Sequence, residues 1–507
     1  MTTISSGHTT QDQLESILTA AAGAAPAWAA TSPADRAAAL VTVADALDEH
    51  ASSLVTTAER ETGLSNGRLT GELKRTTVQL RLFADVIRDG SYLDARIDDA
   101  DPDFVLGTRP DLRRVLVPAG VTLNFAASNF PFAFSVAGGD SAAALAAGSP
   151  VIVKGHSGHP DLSVETAQVV VDAFAAAGAP DGVFALIQGQ KAGTAALNDD
   201  RVDIGTFTGS IKVGRMLADI AAARPRPIPF FGELGSVNPA VVTTAAFEQR
   251  GQDIAQGFLG SVAGSAGQLC TKPGFLWIPS KGDVAGFEEE ISKAAADVPK
   301  HRLLNPSIGQ SYIGGTDIFL SDPDVRVVVE GSAELDEDGQ VWATPTIVSV
   351  PASKLAKDDG KFLDEVFGPF SVLVEYDNEA DVPAVIETFF EGNLTGTIHI
   401  GDNEESSDLS ALISVFSRKV GRVLFNGWPT GVAVSYAQQH GGPYPATTND
   451  SSTSVGTAAI SRFLRGVAFQ NAPQSVLPPA LQDTNPWGIP RHHGPAGESQ
   501  SWGLRKN

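Results

Sequence analysis

The 507-residue chain contains one cysteine, Cys270. A single thiol excludes an internal disulfide framework and every multi-cysteine zinc or iron–sulfur site, and it fits a reducing compartment. Basic residues are scarce as well: 36 Lys and Arg stand against 59 Asp and Glu, a formal charge of −23. A surface of that sign repels phosphate backbones, so nucleic acid is not an expected partner, and an anionic ligand needs a local cluster of positive charge. No long uninterrupted hydrophobic run occurs. The nearest, 132–153, is broken by Gly138, Gly139, Asp140 and three serines, whereas a membrane span needs about 20 predominantly apolar residues. It reads instead as a buried helix followed by a buried strand. Residues 1–11 lack the basic start and apolar stretch of a signal peptide. Low-complexity linkers and internal repeats are also missing. Together these absences predict a cytoplasmic protein without membrane contact.

What is present is apolar material: 42% of residues are hydrophobic and 19% charged. That supplies a large core and excludes disorder of the whole chain. At roughly 100–200 residues per domain, two or three domains are expected. The first 90 residues carry apolar positions at helical spacing over 14–28 (ending or kinking near Pro26), 32–57 and 71–89. An acidic turn at 98–103 precedes segments 104–107 and 114–117, which read as a β-hairpin. From Gly120 strands and helices alternate: strand 121–128, helix 132–147, strand 151–154, helix 162–177, strand 182–187, strand 203–207, helix 211–223 and strand 228–231. This is the pattern of a parallel sheet covered on both faces. The alternation continues over 236–445 with longer loops, including a helix at 247–266 that leads into Cys270. The tail after Asn471, rich in Pro, Gly and Asn, is expected to hug the surface or to end partly loose.

Six short segments can carry chemistry, and most have a plainer reading. In VDIGTFTGSIKVG (202–214), Gly209 and Ser210 sit where a strand turns into a helix, and Gly214 lies one turn in. Backbone N–H groups at such a helix start suit a phosphate; the spacing is not G-x-G-x-x-G, and an ordinary Ser-capped turn reads equally well. In GQLCTKPG (267–274), Cys270 is either a small buried residue or, in its Gly-flanked loop, a thiolate nucleophile beside oxyanion-binding N–H groups. Glu233, in FFGELGS, is either a strand-end charge or a base whose pKa burial tunes. Asn129, in ASNFPF, can donate to an oxyanion or cap a helix. Lys154 ends a parallel strand, where ligands bind in open α/β sheets, and EVFGPF (365–370) joins a carboxylate, an aromatic ring and a Gly-Pro turn.

Taken in order, Asn129-Phe130-Pro131, Lys154, the 207–214 turn, Glu233-Leu234-Gly235, Gly267-Gln268-x-Cys270 and Glu365-x-Phe367-Gly368-Pro369 resemble the aldehyde dehydrogenase superfamily across about residues 15–470. LFNGWPTGV (424–432), HGGPYPATT (440–448), SVGTAAISRFLRGVAFQN (454–471) and PPALQDTNPWGIPR (478–491) look like its branch of NADP-preferring α-ketoglutaric semialdehyde (2,5-dioxopentanoate) and fatty aldehyde dehydrogenases. The resemblance implies an α/β fold. A Rossmann-like cofactor domain would take 1–102 and 119–235, an α/β catalytic domain 236–465, and a small β oligomerisation element 103–118 and 466–507. It implies Cys270 as nucleophile, Glu233 as hydrolytic base and Asn129 as oxyanion donor. Glu365 and Phe367 would meet the nicotinamide riboside, Gly209, Ser210 and Gly214 the pyrophosphate, and Lys154 the adenosine ribose.

NAD-preferring relatives often carry a glutamate three residues after this lysine; Ser157 here, with Lys154 and Lys191, points to NADP, with NAD also open. The usual Ser-Thr-Glu of the phosphate turn reads Ser210-Ile211-Lys212, and the AVSYAQQ loop after 432 departs from the branch. By the same alignment Arg75, Phe130 and Phe134 line the substrate tunnel. An arginine there asks for an anion, so α-ketoglutaric semialdehyde is the expected substrate. Its alternatives are a medium-chain or fatty aldehyde, with Arg75 pairing at the surface with Glu72 or Asp89. Glu233 disfavours a CoA-acylating enzyme, and the retention of Cys270, Glu233 and Asn129 disfavours a retired fold that only binds. No metal is expected, and the partners are a small aldehyde and further copies of the chain in a homodimer or homotetramer.

Overall fold

A computed structural model of the chain describes residue 4, residues 6–355 and residues 362–497. Helices Gln11–Ala30, Pro33–Glu49, Ala51–Thr62 and Asn66–Asp89 come first. Thr10, Ser32 and Ser65 cap three of them through their hydroxyls, which satisfies N–H groups that a helix start leaves unpaired. Pro26 neither ends nor splits the first helix, and the segment expected as one helix over 32–57 is two, parted at His50.

A five-stranded parallel sheet follows, ordered Phe184–Ile187, Val151–Lys154, Thr122–Phe125, Ile204–Thr208, Phe230–Glu233. Alternating side chains explain why it is covered twice. Val151 and Val153 pack with Leu40, Leu80 and Phe83 of the early helices, while Ile152 faces Leu14, Leu18, Leu197 and Leu217. The strand first in sequence, Thr122–Phe125, lies between Val151–Lys154 and Ile204–Thr208. The order therefore reverses there, and a crevice opens beyond the carboxyl ends of these strands.

The second sheet has seven strands, ordered Arg326–Val329, Thr346–Pro351, Phe370–Tyr376, Phe275–Pro279, Pro239–Val242, Asn393–His399, Val420–Phe425. It is parallel except at its first pair. A four-stranded sheet joins Leu464–Gln470, Leu112–Pro118, Arg96–Asp98 and His492–Gly494. Among the described residues no helix is long and apolar enough to cross a membrane.

Two expected elements differ. The antiparallel partners of Leu112–Pro118 are Arg96–Asp98 and Leu464–Gln470, not 104–107; the latter is a turn closed by the Asp101–Arg109 bridge, with Arg109 stacked on Phe104. Residues 132–138 are turns, and the helix starts at Gly139. The Phe132 and Ala133 N–H groups donate to Glu72 Oε1 at 2.8 and 2.9 Å, which withdraws them from helical bonding. The tail folds back through Leu477, Ala480, Leu481 and Ile489 onto Leu93 and Val115, and residues 498–507 lie outside the described part.

Candidate active site

Strand ends and one strained loop bring the site together. Phe230–Glu233 delivers Glu233 at its carboxyl end, 4% exposed. The helix Thr244–Ala263 runs into a turn in which Ser265, Ala266 and Gly267 all have left-handed φ of 52°, 53° and 65°, and Cys270 follows. Side chains at 265 and 266 pay about 1–3 kcal/mol each for that backbone, so neighbouring contacts must hold it. Asn238 Nδ2 donates to the carbonyls of Cys270 and Lys272 at 2.8 and 3.0 Å. Gln268 Oε1 accepts from the Leu304 N–H at 2.8 Å. A Cβ at Gly267 would collide with the Gly368 carbonyl, so glycine is required where the cysteine loop crosses the 365–370 segment.

Asn129 reaches the same loop, its Nδ2 donating to Gln268 O at 3.1 Å. It caps no helix, and one of its two amide hydrogens remains for another acceptor. The residue that sequence reasoning missed is His440. Its Nε2 lies 3.7 Å from Cys270 Sγ and its Nδ1 donates to Glu233 Oε2 at 2.6 Å. Ser454 also donates to Glu233 Oε2, whereas Oε1 is buried and has no partner among the described residues.

The aldehyde dehydrogenase family pattern matches residues 2–457. The chain belongs to the aldehyde dehydrogenase family. It is 42% identical over 487 residues to alpha-ketoglutaric semialdehyde dehydrogenase 2 of Azospirillum brasilense, covering 96% of this chain and 92% of that one. To the alpha-ketoglutaric semialdehyde dehydrogenase of Acinetobacter baylyi it is 40% identical, with coverage of 95% and 91%. It superposes on methylmalonate-semialdehyde dehydrogenase from Oceanimonas doudoroffii with a TM-score of 0.76 at 20% identity, covering 92% of each chain. A 1-pyrroline-5-carboxylate dehydrogenase from Thermus with bound NAD gives 0.76 at 21% identity, with coverage of 91% and 86%. These two show the fold. The protein is an NAD(P)-dependent aldehyde dehydrogenase.

Electrostatics in the dehydrogenase site centre on His440. Burial alone disfavours its charge, but Glu233 and Cys270 outweigh burial and carry its pKa up to about 10. Burial likewise opposes ionisation of Glu233, yet His440 and Ser454 hold its carboxyl below the ordinary value. A histidine raised from 6.5 to about 10 on folding stabilises fully below pH 6.5, and that stability is lost as pH rises toward 10. The thermal midpoint is therefore expected to fall between pH 7 and 10, and His440→Gln to flatten that fall; parallel curves for the two proteins would refute the ion pair.

The other expected residues lie around the strand-end crevice. Lys154 is half-buried, its pKa lowered by burial, and no described residue pairs with it. Ser157 and Lys191 are exposed, Lys191 in the first turn of Gln190–Asn198. Ser210 caps helix Ile211–Ala223 through the Val213 N–H, and a side chain at Gly214 would strike Leu234; both residues thus have structural roles. Gly209 and Ser210 are nevertheless exposed at that helix start. Lys212 points to the surface.

Glu365 packs against Gly235, and its pKa is pushed by burial up to about 7 although Lys272 opposes the rise. Lys272 donates to the Val366 and Phe370 carbonyls at 3.0 and 2.5 Å, tying the cysteine loop to the segment that carries Phe367.

Arg75 is not at the surface. With Phe130, Phe134, Cys270 and His440 it lines a cavity of about 180 Å³. Its guanidinium carbon sits 5.2 Å from the Phe134 ring centre, and its Nε is buried with no hydrogen-bond partner among the described residues. Glu72 is instead occupied by the 132–133 backbone and by Arg68, 3.5 Å away.

Proposed function

We propose that this dehydrogenase oxidises α-ketoglutaric semialdehyde to 2-oxoglutarate with NADP, through covalent chemistry at Cys270. The observation that carries the substrate reading is Arg75, a half-buried cation that lines the same cavity as Cys270. A substrate carboxylate entering that cavity meets its guanidinium. The names of the two relatives at 42% and 40% identity support the same reading.

The Cys270 sulfur attacks the aldehyde carbon as the thiolate, its negative charge paired with the His440 imidazolium. The remaining Asn129 amide hydrogen and the Cys270 backbone N–H serve the oxyanion of the thiohemiacetal. NADP, when bound, supplies the hydride acceptor. A thioester on Cys270 remains, and Glu233 accepts a proton from the water that hydrolyses it, releasing the acid and the thiol.

The crevice fits a dinucleotide because Lys154 is a partly desolvated cation with no ion-pair partner among the described residues, in an otherwise acidic protein. Lys154, Ser157 and Lys191 would hold the 2′-phosphate, Gly209, Ser210 and Gly214 the pyrophosphate end, and Glu365 and Phe367 the nicotinamide riboside. The five-stranded sheet with its helices is then the cofactor domain and the seven-stranded sheet the catalytic one. Leu464–Gln470 leaves one edge of the four-stranded sheet open and Val105 and Leu106 are exposed nearby in sequence to Leu112–Pro118, which supports homo-oligomerisation in a cytoplasmic enzyme.

Arg75→Ala is the direct test. A charged hydrogen bond of about 1.5–3 kcal/mol predicts a loss of roughly 10–100-fold in kcat/KM with 2,5-dioxopentanoate. Turnover of hexanal should be nearly unchanged. Equal losses on both aldehydes would remove Arg75 from substrate recognition. For the cofactor, Ser157→Glu is expected to lower kcat/KM for NADP at least about tenfold through like-charge repulsion while sparing NAD; a parallel change for both would place the 2′-phosphate elsewhere.

A further inference from the structure

We propose that Arg68 and Glu72 are positioning residues for Asn129: from helix Asn66–Asp89 they grip the 129–133 turn and so fix where its amide points. The inference rests on the reading of Asn129 as oxyanion donor and extends it to the groups that hold that donor in place.

The turn closes its own base. The Ala127 N–H donates to the Phe134 carbonyl at 2.9 Å and the Phe134 N–H to the Phe130 carbonyl at 3.1 Å, while Pro131 has no N–H to add. The helix supplies the grip on the rest. Arg68 Nη2 donates to the Asn129 carbonyl at 2.9 Å, and Glu72 Oε1 accepts the Phe132 and Ala133 N–H groups at 2.8 and 2.9 Å. Arg68 and Glu72 stand one helical turn apart and pair at 3.5 Å, so each restrains the other's side chain. The Arg68 guanidinium carbon also sits 4.8 Å from the Phe130 ring centre, and Phe134 meets that ring edge-on with centres 5.2 Å apart.

Glu72 is buried, and a buried ion pair is often no more stabilising than apolar residues of the same volume. What the pair secures is the place of the turn. Asn129 Nδ2 commits one hydrogen to Gln268 O at 3.1 Å, which leaves the other for an oxyanion formed beside Cys270. Such a donor acts at about 2.7–3.1 Å, and a shift of about 1 Å at a reacting centre can cost about 100-fold. Released by Arg68 or Glu72, the turn carries the amide away from that point.

The test is a double-mutant cycle in kcat/KM on the full-length chain. Asn129→Ala alone should lower it by about 10²–10³-fold. Arg68→Met, which keeps an apolar stem over Phe130, and Glu72→Leu should each lower it roughly 10–100-fold, and equally with 2,5-dioxopentanoate and with hexanal. In the Asn129→Ala background either substitution should cost less than about a further twofold, because the donor it places is already gone. Glu72→Gln, which keeps an oxygen for both N–H groups, should recover most of the loss seen in Glu72→Leu. Losses that multiply in the Asn129→Ala background would mark a general structural role and overturn the proposal. So would a loss confined to the carboxylated aldehyde, which would assign the effect to Arg75, or a Glu72→Gln loss equal to that of Glu72→Leu. An Asn129→Ala enzyme of unchanged kcat/KM would instead overturn the oxyanion reading itself, and the positioning with it.

Discussion

Cys270→Ala is expected to lower aldehyde oxidation by at least about 10⁴-fold, the order seen when a covalent nucleophile is removed from an otherwise intact site. The chain has no second cysteine to stand in. Around Cys270 lie His440 Nε2 at 3.7 Å from the sulfur, Asn129 bonded to the same loop and Asn238 pinning the backbone. The Asn238 and Asn129 contacts do not depend on sulfur, because both side chains bind carbonyls of the loop. The variant should therefore keep its thermal midpoint and its NADP binding while losing turnover. The measurement is NADPH formation with 2,5-dioxopentanoate, paired with a thiol titration that falls from about one reactive group per chain to none. Residual activity within about tenfold of the unsubstituted enzyme would sink covalent catalysis at this position.

The helices and the two large parallel sheets are legible in the sequence because each strand is a short apolar run bounded by turn residues. For the same reason Lys154 and Glu233 are legible as strand ends and Ser210 as a helix cap, whereas the strand expected over 121–128 stops at Phe125 and leaves Asn129 in the loop beyond it. His440 was not legible as a site residue. It lies in a loop without periodicity, and its contacts with Cys270 and Glu233 span 170 and 207 positions in sequence; only the packing of the 440–454 segment under the cysteine loop creates them. The one available signal was a histidine directly before Gly-Gly-Pro in a segment already singled out. Segment 132–138 misled in the opposite sense. Its composition is apolar and its periodicity helical, but a buried carboxylate 60 residues earlier captures its N–H groups. Arg75 shows the same dependence on tertiary context: nothing in the helical pattern separates it from Arg68, yet Arg68 answers Glu72 while Arg75 faces the cavity.

Glu233→Gln is expected to separate the two halves of the reaction. Glutamine keeps the shape of the side chain, and its amide oxygen can still accept the Nδ1 hydrogen of His440, so the histidine beside Cys270 remains oriented. What is lost is a basic oxygen. Oε2 is engaged by His440 and Ser454, while Oε1 has no partner among the described residues, so under the proposed reaction Oε1 is the atom that would take a proton from the hydrolytic water. The carboxyl is held below its ordinary pKa by His440 and Ser454, so the charged, proton-accepting form is the resting one at neutral pH. Removing a positioned base of this kind slows its step by about 10²–10⁴-fold. The first turnover should then give a burst of about one NADPH per chain, followed by a slow steady state, with an acyl adduct on Cys270 visible by intact-protein mass spectrometry. If burst and steady state fall together, Glu233 acts on the Cys270–His440 pair and water is activated by another group; an unchanged steady state would remove Glu233 from hydrolysis altogether.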